Sequence, residues 1–252
     1  MDENIENISE SKFYPPKPEL KDNITNKKDA INRSLFSMAI FIGIFYFFFD
    51  LDIRLVLVVV AALIIHELGH FFTMEKFGYK DLKIFFVPLL GAYVSGENEN
   101  ISQREKALVY LAGPIPGIIL GTIFFLAWFN TGKENFLMLA TVFIYINAFN
   151  LLPVTPLDGG RFIETLFFYK NELIQLIFLI VSFVGIVTFS IYFEYYIFLF
   201  FGLLLIGKIV GRVGIIRIRK AMKSEKLNFN ALYNELSDEE YWRIREVIIL
   251  KS

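Results

Sequence analysis

Apolar positions in this chain do not alternate with polar ones at a strand or helix period; they gather into long runs bounded by short polar stretches. A helix needs about 20 predominantly apolar residues to cross a hydrocarbon layer about 30 Å thick. Six runs approach that length, at 34–51, 55–77, 107–129, 135–153, 173–193 and 195–210. The pattern predicts an all-α, polytopic membrane bundle of about six transmembrane helices. Little more than Glu194 separates the last two runs, so they should form a tight helical hairpin. Residues 83–96, between the second and third runs, are too few to span and too apolar to lie in water. That stretch is expected to re-enter the membrane as a loop.

The flanks are polar and of a different character. Residues 1–33 carry Pro15, Pro16 and Pro18 and charges of both signs, without an apolar segment followed by a small-residue cleavage site. They read as a flexible cytosolic tail, and the first apolar run as an uncleaved anchor. Residues 34–210 form one membrane domain, and 211–252 a basic cytosolic tail. In that tail Ser237 and Glu240 are spaced as a capping box opening a helix to Leu250, with Tyr241, Ile244 and Ile248 on one face. Cytoplasmic loops are enriched in Lys and Arg. An even number of spans with both termini in the cytoplasm places 23 of the 25 basic residues on that side, leaving Arg54 and Lys133 outside. Without an organelle signal, this fits a prokaryotic plasma membrane.

Composition sharpens the picture. Of 252 residues 55% are hydrophobic, 29 are Phe, and the mean hydropathy is +0.52, well beyond what a soluble core requires. The lipid bilayer is the expected partner, and a net charge of −1 with no basic stripe gives nucleic-acid binding no support. With no cysteine, a metal would be held by nitrogen and oxygen ligands.

The only two histidines, His66 and His70, lie in the second run and enclose Glu67 in the pattern H-E-x-x-H. Four residues of helix separate side chains by about 6 Å along the axis on one face, so both imidazoles can reach one zinc ion. Glu67 can then serve as general base for a water. The competing reading, polar groups facing the interior of a bundle, must account for three ionisable residues within five positions at membrane depth, where each costs about 3 kcal/mol. A catalytic zinc usually takes three protein ligands. Asp158 is the candidate third, arriving where Pro153 and Pro156 break the fourth run. Alone, Asp158-Gly159-Gly160 is an ordinary turn signal. The even-span topology brings the inner ends of the second and fourth runs to a similar depth, and broken backbone there must line a wet cavity or be buried in protein.

Two motifs carry a family resemblance. His66-Glu67-Leu68-Gly69-His70 and Asn150-x-x-Pro153-x-x-x-x-Asp158-Gly159 resemble those of the site-2 protease family of intramembrane zinc metalloproteases, over roughly residues 55–165. The resemblance implies hydrolysis of transmembrane or membrane-proximal protein substrates, with one zinc on His66, His70 and Asp158. It implies Glu67 as base and Asn150 as the residue assisting substrate or oxyanion. It further implies that the stretch at 83–96 contains a β-hairpin whose edge can pair with an unwound substrate. Ala112-Gly113-Pro114-Ile115-Pro116-Gly117 is similar to the family's G-P-x-x-N element, with Gly117 standing where many members have Asn. Members often carry a PDZ or CBS domain; here selection is expected to rest on the membrane domain, its tails or a separate regulatory protein. The alternatives are a protease for prenylated tails, for which Glu164 would be the carboxylate ligand, a metal transporter, and an inactive protein that binds membrane segments.

Overall fold

The computed structural model describes residues 14–19, 27–49, 52–87, 91–98, 100–228, 231 and 233–251. The chain divides into two compact units, one of residues 23–206 and the other joining 1–22 to 207–252.

The larger unit is the helical bundle. It runs α1 (Lys27–Phe49), α2 (Ile53–Lys76), β1 (Lys80–Val87), β2 (Gly91–Glu97), α3 (Gln103–Ala112), α4 (Pro114–Thr131), α5 (Glu134–Asn150), α6 (Asp158–Ile163), α7 (Glu172–Tyr192) and the first part of α8 (Phe198–Ser224). Among the described residues four helical stretches are long and apolar enough to cross a membrane: α2, α3 with α4, α7, and α8. The 17-residue α5 is shorter, and α1 is 23 residues long. α1 begins seven residues before the predicted first span, and α8 runs on past the predicted end at 210. The hairpin between α7 and α8 turns at Glu194, whose φ is 60°. There the Ser190 hydroxyl donates to the Tyr195 carbonyl at 2.8 Å.

Polarity is inverted relative to a water-soluble protein. Phe129, Val181, Leu203 and Phe47 are more than 60% exposed, whereas His66, Glu67, His70, Asn147, Thr155, Asp158, Gln175, Ser182 and Ser190 are buried. An apolar exterior around a polar interior is what hydrocarbon solvent selects. The chain is an integral membrane protein.

Three local departures from regular helix build the site. The third predicted span is interrupted because Pro114 and Pro116 have no N–H to offer the carbonyls of Tyr110 and Ala112, and the helix divides at Gly113. α5 stops at Asn150, and the Pro-containing segment that follows is anchored where the Thr155 amide donates to the Ser182 hydroxyl of α7 at 3.3 Å. Beyond α6 the chain widens into a π-helical turn, Glu164–Phe168, whose Thr165 and Leu166 carbonyls accept from the Gln103 carboxamide at the start of α3.

The loop at 83–96 folds as the expected hairpin. β1 and β2 are antiparallel, with Ile84 opposite Val94 and Phe85 stacked on Tyr93 at 5.4 Å. α1 covers the outer edge of β1: the Ser34 hydroxyl donates to the Ile84 carbonyl, and the Phe86 amide to the Ser37 hydroxyl at 3.1 Å. Phe86 is buried with Phe41, Val56, Val60 and Leu63, so hairpin, α1 and α2 share one core.

In the smaller unit the Ser237 capping box forms as predicted and opens α9 (Asp238–Lys251). The Ser237 amide and hydroxyl both donate to the Glu240 carboxylate and hold it below its usual pKa. The buried face of α9 carries Val247 with Ile244, packed on Met222 and Leu227, whereas Ile248 is exposed. Tyr241 instead meets the ring of Tyr233 at 5.6 Å. Residues 14–19 lie against the first turns of α9 and the turn that precedes it. The Lys17 amide donates to Asp238 at 2.9 Å, the Lys17 ammonium to the Tyr233 carbonyl at 2.8 Å, and the Trp242 indole to the Pro15 carbonyl at 2.6 Å. The tyrosine hydroxyl of Tyr233 also donates to the Pro18 carbonyl.

Candidate metal centre

The helical spacing of His66 and His70 turns both imidazoles to the interior face of α2, where they meet Asp158 at the first turn of α6. His66 Nε2 and Asp158 Oδ2 are 3.0 Å apart, His70 Nε2 and Asp158 Oδ2 3.1 Å, and the two Nε2 atoms 3.1 Å. All three residues are buried.

The remaining ring nitrogens decide what this triangle is. His70 Nδ1 lies 2.8 Å from the Val109 carbonyl, which can only accept, so Nδ1 carries the proton. His66 Nδ1 lies 2.8 Å from Asn147 Oδ1. The orientation of that carboxamide is set by its nitrogen, which donates to the Phe143 carbonyl at 2.7 Å. His66 Nδ1 is therefore also a donor. In the neutral rings both Nε2 atoms are left as bare lone pairs, and each points at the other and at a carboxylate oxygen. Three acceptors converging in a buried pocket call for a cation between them. Ligands of a tetrahedral zinc at about 2.0 Å are separated by about 3.3 Å, close to the observed edges. Nitrogen and oxygen donors, second partners on both histidines and a burial that excludes competing ligands all fit zinc.

Glu67 is 3% exposed, and its Oε2 has no hydrogen-bond partner among the described residues. A buried carboxylate oxygen left over beside a cation site is placed for a small polar guest. The Val94 main-chain amide of β2 is directed at the same carboxylate.

Glycines allow the parts to come this close. A Cβ on Gly113 would lie 2.2 Å from His70 Nε2. One on Gly159 would lie 2.1 Å from the Leu151 carbonyl oxygen, and one on Gly160 2.4 Å from the Val154 carbonyl carbon. Asp158 can thus be brought back under the end of α5 only because two glycines follow it.

Of the residues singled out from the sequence, His66, His70 and Asp158 come together, with Glu67 beside them. Asn150 is half-buried at the end of α5 and donates to the Ile146 carbonyl at 3.0 Å, closing its own helix. Glu164, the carboxylate of the prenyl-protease alternative, opens the π-helical turn and stands outside the cluster. Sequence reasoning missed Asn147 and the Val109 carbonyl. A second asparagine one turn before Asn150 in an apolar run was the available signal for the first. The carbonyl of Val109 carries none, since any residue supplies one.

The chain is similar to known proteins. Residues 54–136 match the model of peptidase family M50. The zinc metalloprotease MJ0392 of Methanocaldococcus jannaschii is 26% identical over 141 residues, covering 54% of this chain and 36% of that protein. The putative zinc metalloprotease YwhC of Bacillus subtilis is 30% identical over 152 residues, covering 44% of this chain and 68% of that protein. Among solved structures, the site-2 protease from Methanocaldococcus jannaschii superposes with a TM-score of 0.50 at 18% identity, over 71% of this chain and 86% of that one. The chain belongs to peptidase family M50, the site-2 proteases. It spans little more than a third of MJ0392.

Proposed function

We propose that this protein is an intramembrane zinc endopeptidase that cuts transmembrane or membrane-proximal protein segments. The observation that carries the reading is the buried triangle of His66 Nε2, His70 Nε2 and Asp158 Oδ2 with edges of 3.0–3.1 Å, flanked by the unpartnered Oε2 of Glu67. The three would hold one zinc ion, which when bound supplies a Lewis acid that brings the pKa of a water to about 7. Glu67 takes the proton of that water and later returns it to the leaving amine. Asn147 and Val109 keep the imidazoles oriented. Asn150 faces the substrate, its second amide hydrogen available to charge developing on the scissile carbonyl.

The hairpin suits substrate presentation. Ile84 and Phe86 spend their outward main-chain groups on α1, so β1 is sealed. The opposite edge of the sheet is β2, on which the Val94 amide faces Glu67. A peptide unwound from a helix and added to that edge would lie alongside the base. Among the described residues the metal-ligating groups form one cluster rather than a series, which favours hydrolysis over transport. The distribution of Lys and Arg supports a topology with both termini in the cytoplasm of a prokaryotic plasma membrane, and a separate regulatory protein is the expected partner besides substrate and lipid.

The test compares purified parent, Glu67→Gln and Asp158→Ala for bound zinc and for cleavage of reconstituted membrane peptides. Glu67→Gln should hold one zinc and lose at least about 100-fold in rate; Asp158→Ala should lose both. A Gln variant as fast as the parent would eliminate the assigned base.

A further inference from the structure

On α4, position 117 is glycine where the resemblance leads to asparagine. The space is not empty. A Cβ on Gly117 would lie 2.0 Å from Asn147 Nδ2, 2.4 Å from its Cγ and 2.6 Å from its Oδ1. The carboxamide of Asn147, delivered from α5, fills the volume into which a side chain at 117 would project. Asn147 is fully buried, and both ends of its carboxamide are engaged, Nδ2 on Phe143 and Oδ1 on His66 Nδ1.

We infer that Asn147 is the positioning residue of the metal centre and Gly117 its socket. An asparagine can serve His66 from either α4 or α5, but not from both at once. The inference rests on the zinc reading above, and it concerns the proton on His66. With Oδ1 accepting at Nδ1, the lone pair stays on Nε2 and faces Asp158 at 3.0 Å. Without that acceptor, the proton moves to Nε2, where the same Asp158 oxygen receives it as a hydrogen bond. The imidazole and the carboxylate then satisfy each other and no longer offer two acceptors to a cation. A buried carboxamide is thus what keeps the pocket open to metal.

The chain has only two histidines, so selective nitrogen-15 labelling of histidine gives two ring signals from which the tautomers are read directly. The experiment takes the full chain in detergent as parent, Asn147→Ala, Gly117→Asn and the double variant Gly117→Asn with Asn147→Ala. Tautomers are read in metal-free protein, and zinc retention against a graded chelator is read separately. Asn147→Ala should gain the Nε2–H form of His66 and lose about 10- to 100-fold in zinc affinity. Gly117→Asn alone should weaken zinc by crowding, and the double variant should restore both readouts. Helix content and unfolding temperature report which variants fold. Parent-like tautomer and zinc affinity in Asn147→Ala, or a double variant no better than that single one, would overturn the assignment. If the tautomer pattern follows expectation while the parent binds no zinc, the positioning role stands and the zinc reading falls. If zinc binds the parent but the tautomer is indifferent to residue 147, the reverse holds.

Discussion

A single methyl group at Gly113 should switch the centre off while leaving the bundle standing. The added Cβ would meet His70 at 2.2 Å from Nε2, 2.5 Å from Cε1 and 2.8 Å from Cδ2, against ordinary contacts of 3.4–4 Å. The ring must retreat by about 1 Å, whereas metal–ligand bonds tolerate about 0.2 Å. His70 has no free direction, because Nδ1 is held by the Val109 carbonyl at 2.8 Å and the residue is 8% exposed. A displacement of that size costs about 100-fold in a reaction that depends on alignment. Overpacking costs about 1–3 kcal/mol, so the variant should fold. Gly185→Ala is the control: it lies within α7 with nothing within 4 Å of the new methyl, and alanine there is worth up to about 1 kcal/mol of added helix stability. Both proteins would be purified in detergent and compared for zinc per chain, thermal unfolding and cleavage of a membrane peptide. Gly113→Ala holding a full zinc and cleaving at the parent rate would refute the geometry on which the site rests.

Replacing Asn150 by Ala should leave zinc content unchanged and lower kcat by about 100-fold or more if its amide meets the developing negative charge; an unchanged rate would return Asn150 to helix termination. Trp242→Ala removes the bond to the Pro15 carbonyl, worth about 1 kcal/mol. Digestion by a soluble protease within residues 14–19 should accelerate about fivefold by that figure, with zinc content unaltered. Equal digestion rates would show that the indole does not hold the segment.

Much of this centre is legible in the sequence. His66, Glu67 and His70 share a helix, and helical spacing dictates that they share a face. Asp158 is 88 positions beyond His70, and its approach follows from broken helices rather than from any local period. Only the pairing of two motifs and a topology argument brought it in. Asn147 was hidden because a buried asparagine one turn before another reads as helix termination, and its function depends on a ring from a different helix. Which face of α9 is buried was not legible: Val247 and Ile248 are both apolar neighbours, and nothing local decides which turns inward. The extent of the helices was similarly obscure, since α1 starts among charged residues and α8 continues through basic ones that lie outside any apolar run.

The clasp between residues 14–19 and the C-terminal helix has a consequence for the path of everything between. A cord whose two ends are knotted together on one side of a sheet must pierce that sheet an even number of times. Among the described residues four helical stretches other than α1 have the length to do so, and α5, at 17 residues, falls short. The knot ties the fate of α5 to that of the 23-residue α1: each goes through with the other, or neither does.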